Sequence, residues 1–325
     1  MKRGVCIGVD TSCYTTSVAA VDENGVLLCQ QREILPVKMG ECGLRQSDAL
    51  YQHVCKLPDL FRQLLSDLRE ICDYEVKCVC VSATPRSLEE SYMPVFRAGH
   101  AFAKTMAECF CVPLYVTSHQ VGHLLAGTHA SNIHFGDDFL AIHLSGGTCE
   151  MLHVNHETYE GELVGETLDN SAGQMIDRIG VQMGLPFPAG VHMERLAGEF
   201  SDETLDINDI PVSVRDMQVS FAGPASALKR RVESGADHAY VAMCTYSTVA
   251  RTLVKWMANA LKKTGVRDVL IMGGVASSSI LRTLIAQRVQ KQCRALRVHY
   301  AQSFLASDNA VGVAIYGALK HKGEI

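Results

Sequence analysis

Two histidines four residues apart form the most chemically suggestive pair in the chain. His119 and His123 stand in the segment SHQVGH. Residues at positions i and i+4 share one face of a helix, close enough for both imidazoles to bind one metal ion. A third ligand must come from elsewhere. The candidate is Asp308, at the start of the last predicted helix, although an ordinary helix N-cap is the competing interpretation of that aspartate.

Three turns of small residues follow predicted strands, and each could hold phosphate. Backbone N–H groups in such turns point outward, and Ser or Thr hydroxyls add donors. One glycine pair after a strand is more often only a turn. Two strand–turn–strand units followed by a strand–GG–helix unit are more specific, and they resemble the nucleotide-binding arrangement of actin-like and sugar-kinase-like proteins. The turns are Asp10-Thr11-Ser12, Ser145-Gly146-Gly147-Thr148 and Gly273-Gly274.

The elements that position these residues alternate between strands and helices, which predicts a layered α/β protein. The opening pattern of strand, small-polar turn and two further strands restarts at residue 139, so we expect an internal repeat of supersecondary structure. Strands are predicted at 5–10, 17–21, 26–28, 76–82, 114–117, 139–144, 150–154, 162–165, 269–272 and 296–300. Helices are predicted at 46–68, 97–109, 171–183, 241–264, 278–290 and 309–319.

A chain of 325 residues is longer than one hydrophobic core usually supports, so two lobes are expected. The fold class predicted from the repeat is a two-lobed actin-like ATPase (ASKHA) fold. Its lobes are duplicated ββ-β-α-β-α units with a nucleotide and metal cleft between them. The predicted first lobe comprises residues 1–115 and 310–325, and the predicted second lobe comprises 116–309 and carries the nucleotide and metal motifs.

Composition restricts the possible partners and the compartment. The net charge of −5 is unusual for a nucleic-acid-binding protein, so contact with RNA would need a local basic patch or a helper subunit. The thirteen cysteines are scattered without a CxxC motif, which argues against a disulfide framework or a zinc ribbon and favours the reducing cytosol. Neither a signal peptide nor a membrane-spanning run is visible. A soluble cytoplasmic protein is therefore expected.

The order of the motifs resembles the TsaD family, the tRNA threonylcarbamoyladenosine transferases that also carry an older glycoprotease label. The resemblance extends from Gly8 to the last helix. It implies an acyltransferase that passes a threonylcarbamoyl group from threonylcarbamoyl-AMP to an adenine of tRNA. No catalytic side chain can be assigned from it. The motifs are HxxxH, SGGT, GETLDNSAGQMIDRIGVQMGLPFPAG, SFAG, IMGGVASSSILR and SDNA.

The resemblance also implies a set of ligands and partners. It makes His119, His123 and Asp308 the ligands of one divalent metal ion, iron or zinc. An ATP- or AMP-type nucleotide or threonylcarbamoyl-AMP would contact His143, Leu144, Ser145, Gly146, Gly147, Asp177, Gly190, Gly273, Gly274 and Ser278. A surface position remains the alternative for Asp177, and a plain loop glycine for Gly190. Implied partners are a smaller paralogous subunit of the TsaB type, an ATPase of the TsaE type and, through that complex, tRNA; no membrane is implied.

Several positions depart from the family pattern. The first turn has Tyr14 and Thr15 where the family sequence S-C-D-E-T has two acids, and Ser278 replaces an asparagine. Thr148 stands for a histidine, and residues 84–87 replace a G-P-G turn. Because carboxylates tune a metal site or hold bound water, we expect a divergent paralogue with slower or altered transfer.

Other functions of the same superfold remain open at this point. A small-molecule kinase or carbamoyltransferase is one, although Mg²⁺ prefers oxygen ligands and suits HxxxH poorly. A nucleotide-binding module without catalysis is another. A metallopeptidase is disfavoured, because Gln120 stands where an HExxH motif has its glutamate.

Overall fold

The computed structural model describes residues 2–12, 14–36, 44–87, 91–129, 135, 137–305 and 308–325. The chain divides into two compact units. Unit 1 consists of Met1–His134, Glu157–Glu160 and Gln302–Ile325, and unit 2 of Phe135–His156 and Gly161–Ala301. Residues 116–129 and Asp308, which the sequence analysis assigned to the second lobe, therefore lie in unit 1.

Unit 1 is built on a five-stranded sheet in the order β3-β2-β1-β4-β5. The first three strands are antiparallel, whereas β4 runs parallel to β1 and β5 parallel to β4. Every residue of β2 and all but the first of β1 are buried, as expected for strands covered on both faces. The strands are β1 (Arg3–Ser12), β2 (Thr15–Asp22), β3 (Leu27–Ile34), β4 (Tyr74–Thr84) and β5 (Leu114–Ser118). The helices are α1 (Gln46–Ile71), α2 (Phe96–Phe110), α3 (His119–Thr128) and α9 (Val311–Lys322).

Unit 2 repeats this topology around a seven-stranded sheet in the order β12-β11-β6-β7-β8-β10-β9. The run β8-β7-β6-β11-β12 has the same order and the same directions as β3-β2-β1-β4-β5, which confirms the predicted repeat. The strands are β6 (Phe139–Leu144), β7 (Cys149–Val154), β8 (Gly161–Thr167), β9 (Ser213–Arg215), β10 (Gln218–Ser220), β11 (Asp268–Met272) and β12 (Arg297–Tyr300). The helices are α4 (Ala172–Gln182), α5 (Gly190–Glu199), α6 (Ala222–Glu233), α7 (His238–Thr264) and α8 (Ser279–Gln292).

Four elements of unit 2 were not predicted from sequence. The strands β9 and β10 have three residues each and exist by pairing with one another and with β8. Helix α6 carries Gly223 and Pro224 in its first turn, where proline is tolerated because the first N–H groups have no partner within the helix. Helix α5 begins at Gly190, for which the sequence analysis left a plain loop glycine as the alternative. No helix in the described ranges has the length and apolar character needed to cross a membrane.

Glycines allow α9 to approach its neighbours in unit 1 closely. A Cβ atom on Gly312 would lie 1.7 Å from the carbonyl oxygen of Gly122 on α3. On the sheet side, a Cβ atom on Gly8 would lie 2.4 Å from the carbonyl oxygen of Ala310. Backbone therefore packs against backbone on both sides of the segment 310–312. This packing fixes the position of Asp308, two residues before Ala310.

Replacing Gly312 with alanine tests this contact. We expect Gly312→Ala to lower the free energy of unfolding by about 3 kcal/mol or more, because α3 and α9 must separate to admit the methyl group. Gly198→Ala on α5 is the matched control, since the nearest atom to its added Cβ is 3.9 Å away. Urea denaturation measures both variants. Equal midpoints for Gly312→Ala and the unaltered protein would contradict the close contact.

Candidate metal centre and nucleotide site

Three side chains in unit 1 form a triangle with the spacing of metal ligands. The Nε2 atoms of His119 and His123 lie 3.0 Å apart. Asp308 Oδ1 lies 3.3 Å from Nε2 of His123 and 3.4 Å from Nε2 of His119. Ligands at about 2.0–2.1 Å from a tetrahedral ion are separated by about 3.3 Å, so one ion fits among these three atoms. Within the described chain, this is the one cluster of histidine, cysteine and acidic side chains with such spacing.

Local structure places each ligand of the triangle. Helix α3 starts where β5 ends, and the Ser118 hydroxyl caps it by accepting a hydrogen bond from the Val121 N–H group at 3.2 Å. One helical turn then separates His119 from His123 on the same face. Asp308 lies three residues before the first residue of α9 and reaches the triangle because α9 packs against α3.

A buried carboxylate on β1 orients one of the imidazoles. Asp10 is fully buried, and its Oδ1 lies 2.9 Å from Nδ1 of His119 and accepts a hydrogen bond from the Ser82 hydroxyl. Because Nδ1 is engaged in this way, Nε2 of His119 is the nitrogen directed at the triangle. The sequence analysis assigned Asp10 to a phosphate turn and did not identify Ser82. In the structure the Asp10 carboxylate lies against the His119 imidazole.

Two buried oxygens at the end of β1 lack hydrogen-bond partners among the described residues. They are Oδ2 of Asp10 and Oγ of Ser12, which are two residues apart and so point to the same side of the strand. Thr11, between them, points the other way and bonds to α2 through the Val95 carbonyl and the Gly99 N–H group. Buried polar atoms are normally paired, so a polar ligand or ion fits beside Asp10 and Ser12.

The imidazoles and carboxylates of the triangle shift one another's pKa values. Burial disfavours each charge, yet Asp10 and Asp308 raise the pKa of the His119 imidazole well above 6.5. The pKa of Asp308 is held well below its usual value, against the effect of desolvation, by hydrogen bonds from His119 and His123. The two carboxylates therefore favour the protonated form of the His119 imidazole in the metal-free protein. A metal must displace the proton on Nε2, so its affinity falls as the pH is lowered.

In unit 2, the turn between β6 and β7 contains the predicted phosphate-binding residues. The Ser145 Oγ accepts hydrogen bonds from the N–H groups of Gly147 and Thr148, at 3.3 and 2.9 Å. Gly146 and Gly147 are exposed, and a Cβ atom on either would meet nothing within 4 Å. The serine therefore uses two of the N–H groups that the sequence analysis offered to phosphate, while the outer side of the turn is open.

Helix α4 begins against this turn. The Ser171 hydroxyl donates to the Gly146 carbonyl at 2.8 Å and accepts the Gln174 N–H group at 3.0 Å, which caps the helix. A Cβ atom on Gly173 would lie 2.5 Å from the Ser145 carbonyl, so only glycine permits this approach. The positive end of the α4 dipole consequently lies at the turn, an arrangement that favours an anion.

The remaining nucleotide-site predictions form a connected group in unit 2. Asp177 Oδ1 accepts the Ala189 N–H group at 2.8 Å, and burial raises the pKa of that carboxyl group. Gly190 follows as the first residue of α5, and its carbonyl accepts the hydroxyl of Tyr246 at 3.0 Å. Tyr246 also interacts with the Ser278 hydroxyl. Tyr246 was not identified from sequence, because only the packing of α7 against α5 places it there.

The Gly273-Gly274 turn packs against the end of β6. Gly273 has a φ of 99°, and a Cβ atom there would lie 2.2 Å from the Leu144 carbonyl and 2.9 Å from Cδ2 of His143. Gly274 has open space around its Cα atom. The structure thus brings the predicted residues of β6 and β11 together, and the Ser278 hydroxyl caps α8 by accepting the Leu281 N–H group at 3.3 Å.

Comparison with known proteins identifies what this arrangement is similar to. A family model described as TsaD, tRNA N6-adenosine threonylcarbamoyltransferase, matches residues 41–315. A protein of that name from Methanopyrus kandleri is 28% identical over 98% of this chain and 88% of its own length. A probable bifunctional tRNA threonylcarbamoyladenosine biosynthesis protein from Methanothermobacter thermautotrophicus is also 28% identical, and the chain spans 56% of its length.

A solved structure supports the fold. HypF from T. kodakarensis matches 99% of this chain and 48% of its own, with a TM-score of 0.62 and 15% sequence identity. At that identity the likeness concerns the fold alone, and it agrees with the actin-like architecture predicted from the duplicated sheets.

Removing one imidazole tests the metal centre. Protein purified without chelator is expected to contain near-stoichiometric iron or zinc, and His119→Ala is expected to lose it, because two ligands hold a metal far more weakly than three. His321→Ala, at the exposed end of α9, is the matched control. Elemental analysis by mass spectrometry gives the occupancy. Full occupancy in His119→Ala would exclude the site.

Adding a side chain to the β6–β7 turn tests the phosphate site. Gly147→Val is expected to weaken binding of ATP or AMP about tenfold or more, because its side chain occupies the open side of the turn without a clash inside the protein. Gly198→Val on α5 in the same unit is the control. Isothermal titration calorimetry measures both affinities. An unchanged dissociation constant for Gly147→Val would show that phosphate binds elsewhere.

Proposed function

The chain belongs to the TsaD family of tRNA N6-adenosine threonylcarbamoyltransferases, and on that basis we propose that it transfers a threonylcarbamoyl group from threonylcarbamoyl-AMP to an adenine of tRNA. It is accordingly a tRNA-modifying acyltransferase. In the proposed reaction, the exocyclic nitrogen of adenine bonds to the carbamoyl carbon, the bond from that carbon to the phosphate oxygen breaks, and AMP leaves. The proton that the nitrogen loses passes to water. The observation that carries this proposal is the metal-ligand spacing of His119, His123 and Asp308, found in a chain with the family's motif order.

The triangle would hold one divalent ion, iron or zinc. When bound, such an ion polarises a carbonyl oxygen and steadies an acyl-adenylate as AMP departs. Asp10 keeps the His119 ring in the tautomer that directs Nε2 to the metal, and the Ser82 hydroxyl holds Asp10 in place. These two residues act through His119.

The residues of unit 2 would bind the adenylate. The phosphate would lie on the open side of Gly146 and Gly147, near the N-terminus of α4. The ribose would approach Asp177 and Gly190, where a carboxylate and an uncovered glycine adjoin. The adenine would lie along Gly274 and Ser278, opposite the Tyr246 hydroxyl. In this assignment the serine replaces an asparagine of the family pattern with a shorter group.

Binding of tRNA is proposed to depend on other subunits. The chain has 35 acidic and 30 basic side chains, whereas proteins that bind nucleic acid by themselves are usually basic. A smaller paralogous subunit of the TsaB type and an ATPase of the TsaE type are the proposed partners. They would supply cationic surface for the tRNA backbone, so binding to tRNA should weaken as salt is raised.

The first turn is where this chain is proposed to differ in rate. Tyr14 is 43% exposed at the end of the β1–β2 hairpin, whereas Thr15 is 6% exposed. Tyr14→Asp thus restores an acid at an open position. Thr15→Glu would place a carboxylate in a buried one, with a cost in stability.

We expect the unaltered protein to transfer labelled threonine to unmodified tRNA about 100-fold more slowly than an ordinary family member, because two acids of the first turn are missing. Tyr14→Asp and the double variant Tyr14→Asp, Thr15→Glu are expected to recover part of the rate. Transfer is measured with the partner proteins present. Tyr14→Phe is the control, since it keeps the bulk without adding a charge. Transfer by the unaltered protein at the rate of an ordinary family member would contradict the effect assigned to the first turn.

A further inference from the structure

Two arginines of unit 2 meet at one uncharged residue. Arg251 is on α7 and Arg288 is on α8, and both side chains are partly buried. They converge on Asn208, in the segment that joins α5 to β9. The Nη1 atom of Arg251 donates to the main-chain carbonyls of Asn208 and Ile210, the latter at 2.8 Å. The Nη2 atom of Arg288 donates to the Asn208 side-chain oxygen at 2.6 Å and to the Ser247 hydroxyl at 2.8 Å.

The positive charge of this pair is not balanced by a contacting carboxylate. All of these hydrogen bonds end on uncharged oxygens, and neither guanidinium group forms an ion pair in the part of the chain that the structure describes. The neighbouring acids are engaged elsewhere. Asp209 pairs with Arg231 through both of its oxygens, and Asp206 accepts the Asn208 N–H group at 2.8 Å. Because partly buried charges are normally paired, this site favours an added anion.

The two guanidinium groups also retain unused hydrogen-bond donors. Only one terminal nitrogen of each is bonded to the protein, so Nη2 of Arg251 and Nη1 of Arg288 have no acceptor among the described residues. The buried Nε of Arg288 lacks one as well. Burial and the charge of Arg251 lower the pKa of the Arg288 guanidinium, which agrees with two positive charges held close together. Asn208 is exposed, so a ligand can reach the pair from solvent.

The surrounding sequence concentrates positive charge. From His238 to Tyr300, a stretch that includes α7 and α8, the chain has ten lysines and arginines and one acidic residue, Asp268. That aspartate is paired with Arg297 and His299. The chain as a whole has a net charge of −5, so this stretch differs sharply from the rest. A local positive field of this kind attracts anions.

We propose that Arg251, Arg288 and Asn208 form a binding site for a small, doubly charged tetrahedral oxyanion, of which inorganic phosphate is the simplest example. Planar guanidinium forks match the oxygens of phosphate, and two of them balance its two charges. The amide nitrogen of Asn208 adds a neutral donor. The bound anion joins α7, α8 and the segment before β9. The site shares no residue with the β6–β7 turn that is proposed to hold nucleotide phosphate.

Anion titrations test the proposal on the unaltered protein. Inorganic phosphate at about pH 8, where it is mostly doubly charged, is expected to bind saturably in calorimetry at constant ionic strength. Dimethyl phosphate keeps the tetrahedral centre but has a single charge, so it is expected to bind about tenfold or more weakly. No saturable binding of phosphate would overturn the proposal. Equal binding of dimethyl phosphate would overturn it too, and would point to the phosphodiester of a nucleic acid.

A variant that supplies the missing carboxylate locates the site. Asn208→Asp hardly changes the shape of the side chain, and we expect it to weaken phosphate binding about tenfold or more, because the new carboxylate takes the place of the anion. In phosphate-free buffer it is expected to raise the unfolding temperature, since it pairs with both guanidinium groups. Gln287→Glu is the matched control, because it adds the same charge on the exposed surface of α8. Its phosphate affinity should stay within about twofold of the original.

Removal of either positive charge gives the complementary result. Arg251→Gln and Arg288→Gln are each expected to weaken phosphate binding about tenfold, whereas Arg294→Gln, at an exposed position just beyond α8, should not. Full phosphate affinity in Asn208→Asp and in both arginine variants would place the anion elsewhere and overturn the proposal. A lower unfolding temperature of Asn208→Asp in phosphate-free buffer would show that the positive charge is already balanced, with the same consequence. None of these readouts involves acyl transfer, so the proposed function has its own separate test.

Discussion

The close contact of α9 with β1 and α3 is the constraint on which the metal triangle depends. The three backbones meet at Gly8, Gly122 and Gly312, where even a methyl group would overlap a carbonyl oxygen or, for Gly122, crowd the Val313 side chain. Because α9 and α3 are held together in this way, Asp308 lies beside His119 and His123. The ligand distances of 3.0–3.4 Å thus result from main-chain packing, and the imidazoles and the carboxylate need little rearrangement to accept an ion.

Charge balance explains why a divalent ion suits this place. The fully buried Asp10 and the partly exposed Asp308 provide two negative charges, and a protonated His119 compensates only one of them. A divalent ion with neutral imidazoles brings the total to zero. Burying unbalanced charge is costly, so the cluster favours the metal-bound state over the protonated one as the pH rises. The charge and the hydrogen bond of His119, together with the hydrogen bond from Ser82, hold the pKa of Asp10 below its usual value in spite of its burial.

The sequence predicted the repeated framework, and the structure brings together the three side chains that were predicted as metal ligands. Apolar runs ending in small polar turns identified β1 and β6, and the helix predicted at 171–183 agrees with α4 within one residue at each end. Helix α6 was not predicted from the sequence, because Gly223 and Pro224 are typical of a turn. The first turn of a helix also tolerates proline, and that is where both residues lie. Ser82 and Tyr246 were not identified from the sequence for a different reason. Their importance comes from the neighbours that tertiary packing gives them, and no local pattern records which neighbours those are.

Trp256 offers a practical consequence of the division into two units. It is the only tryptophan in the chain, it is fully buried in unit 2, and its indole N–H group donates to the Met217 carbonyl at 2.8 Å. The metal triangle belongs entirely to unit 1. Tryptophan emission, excited selectively over tyrosine, therefore reports on unit 2 alone, and removing the metal acts on unit 1. Comparing emission with circular dichroism during denaturation would distinguish whether the halves melt together or in turn.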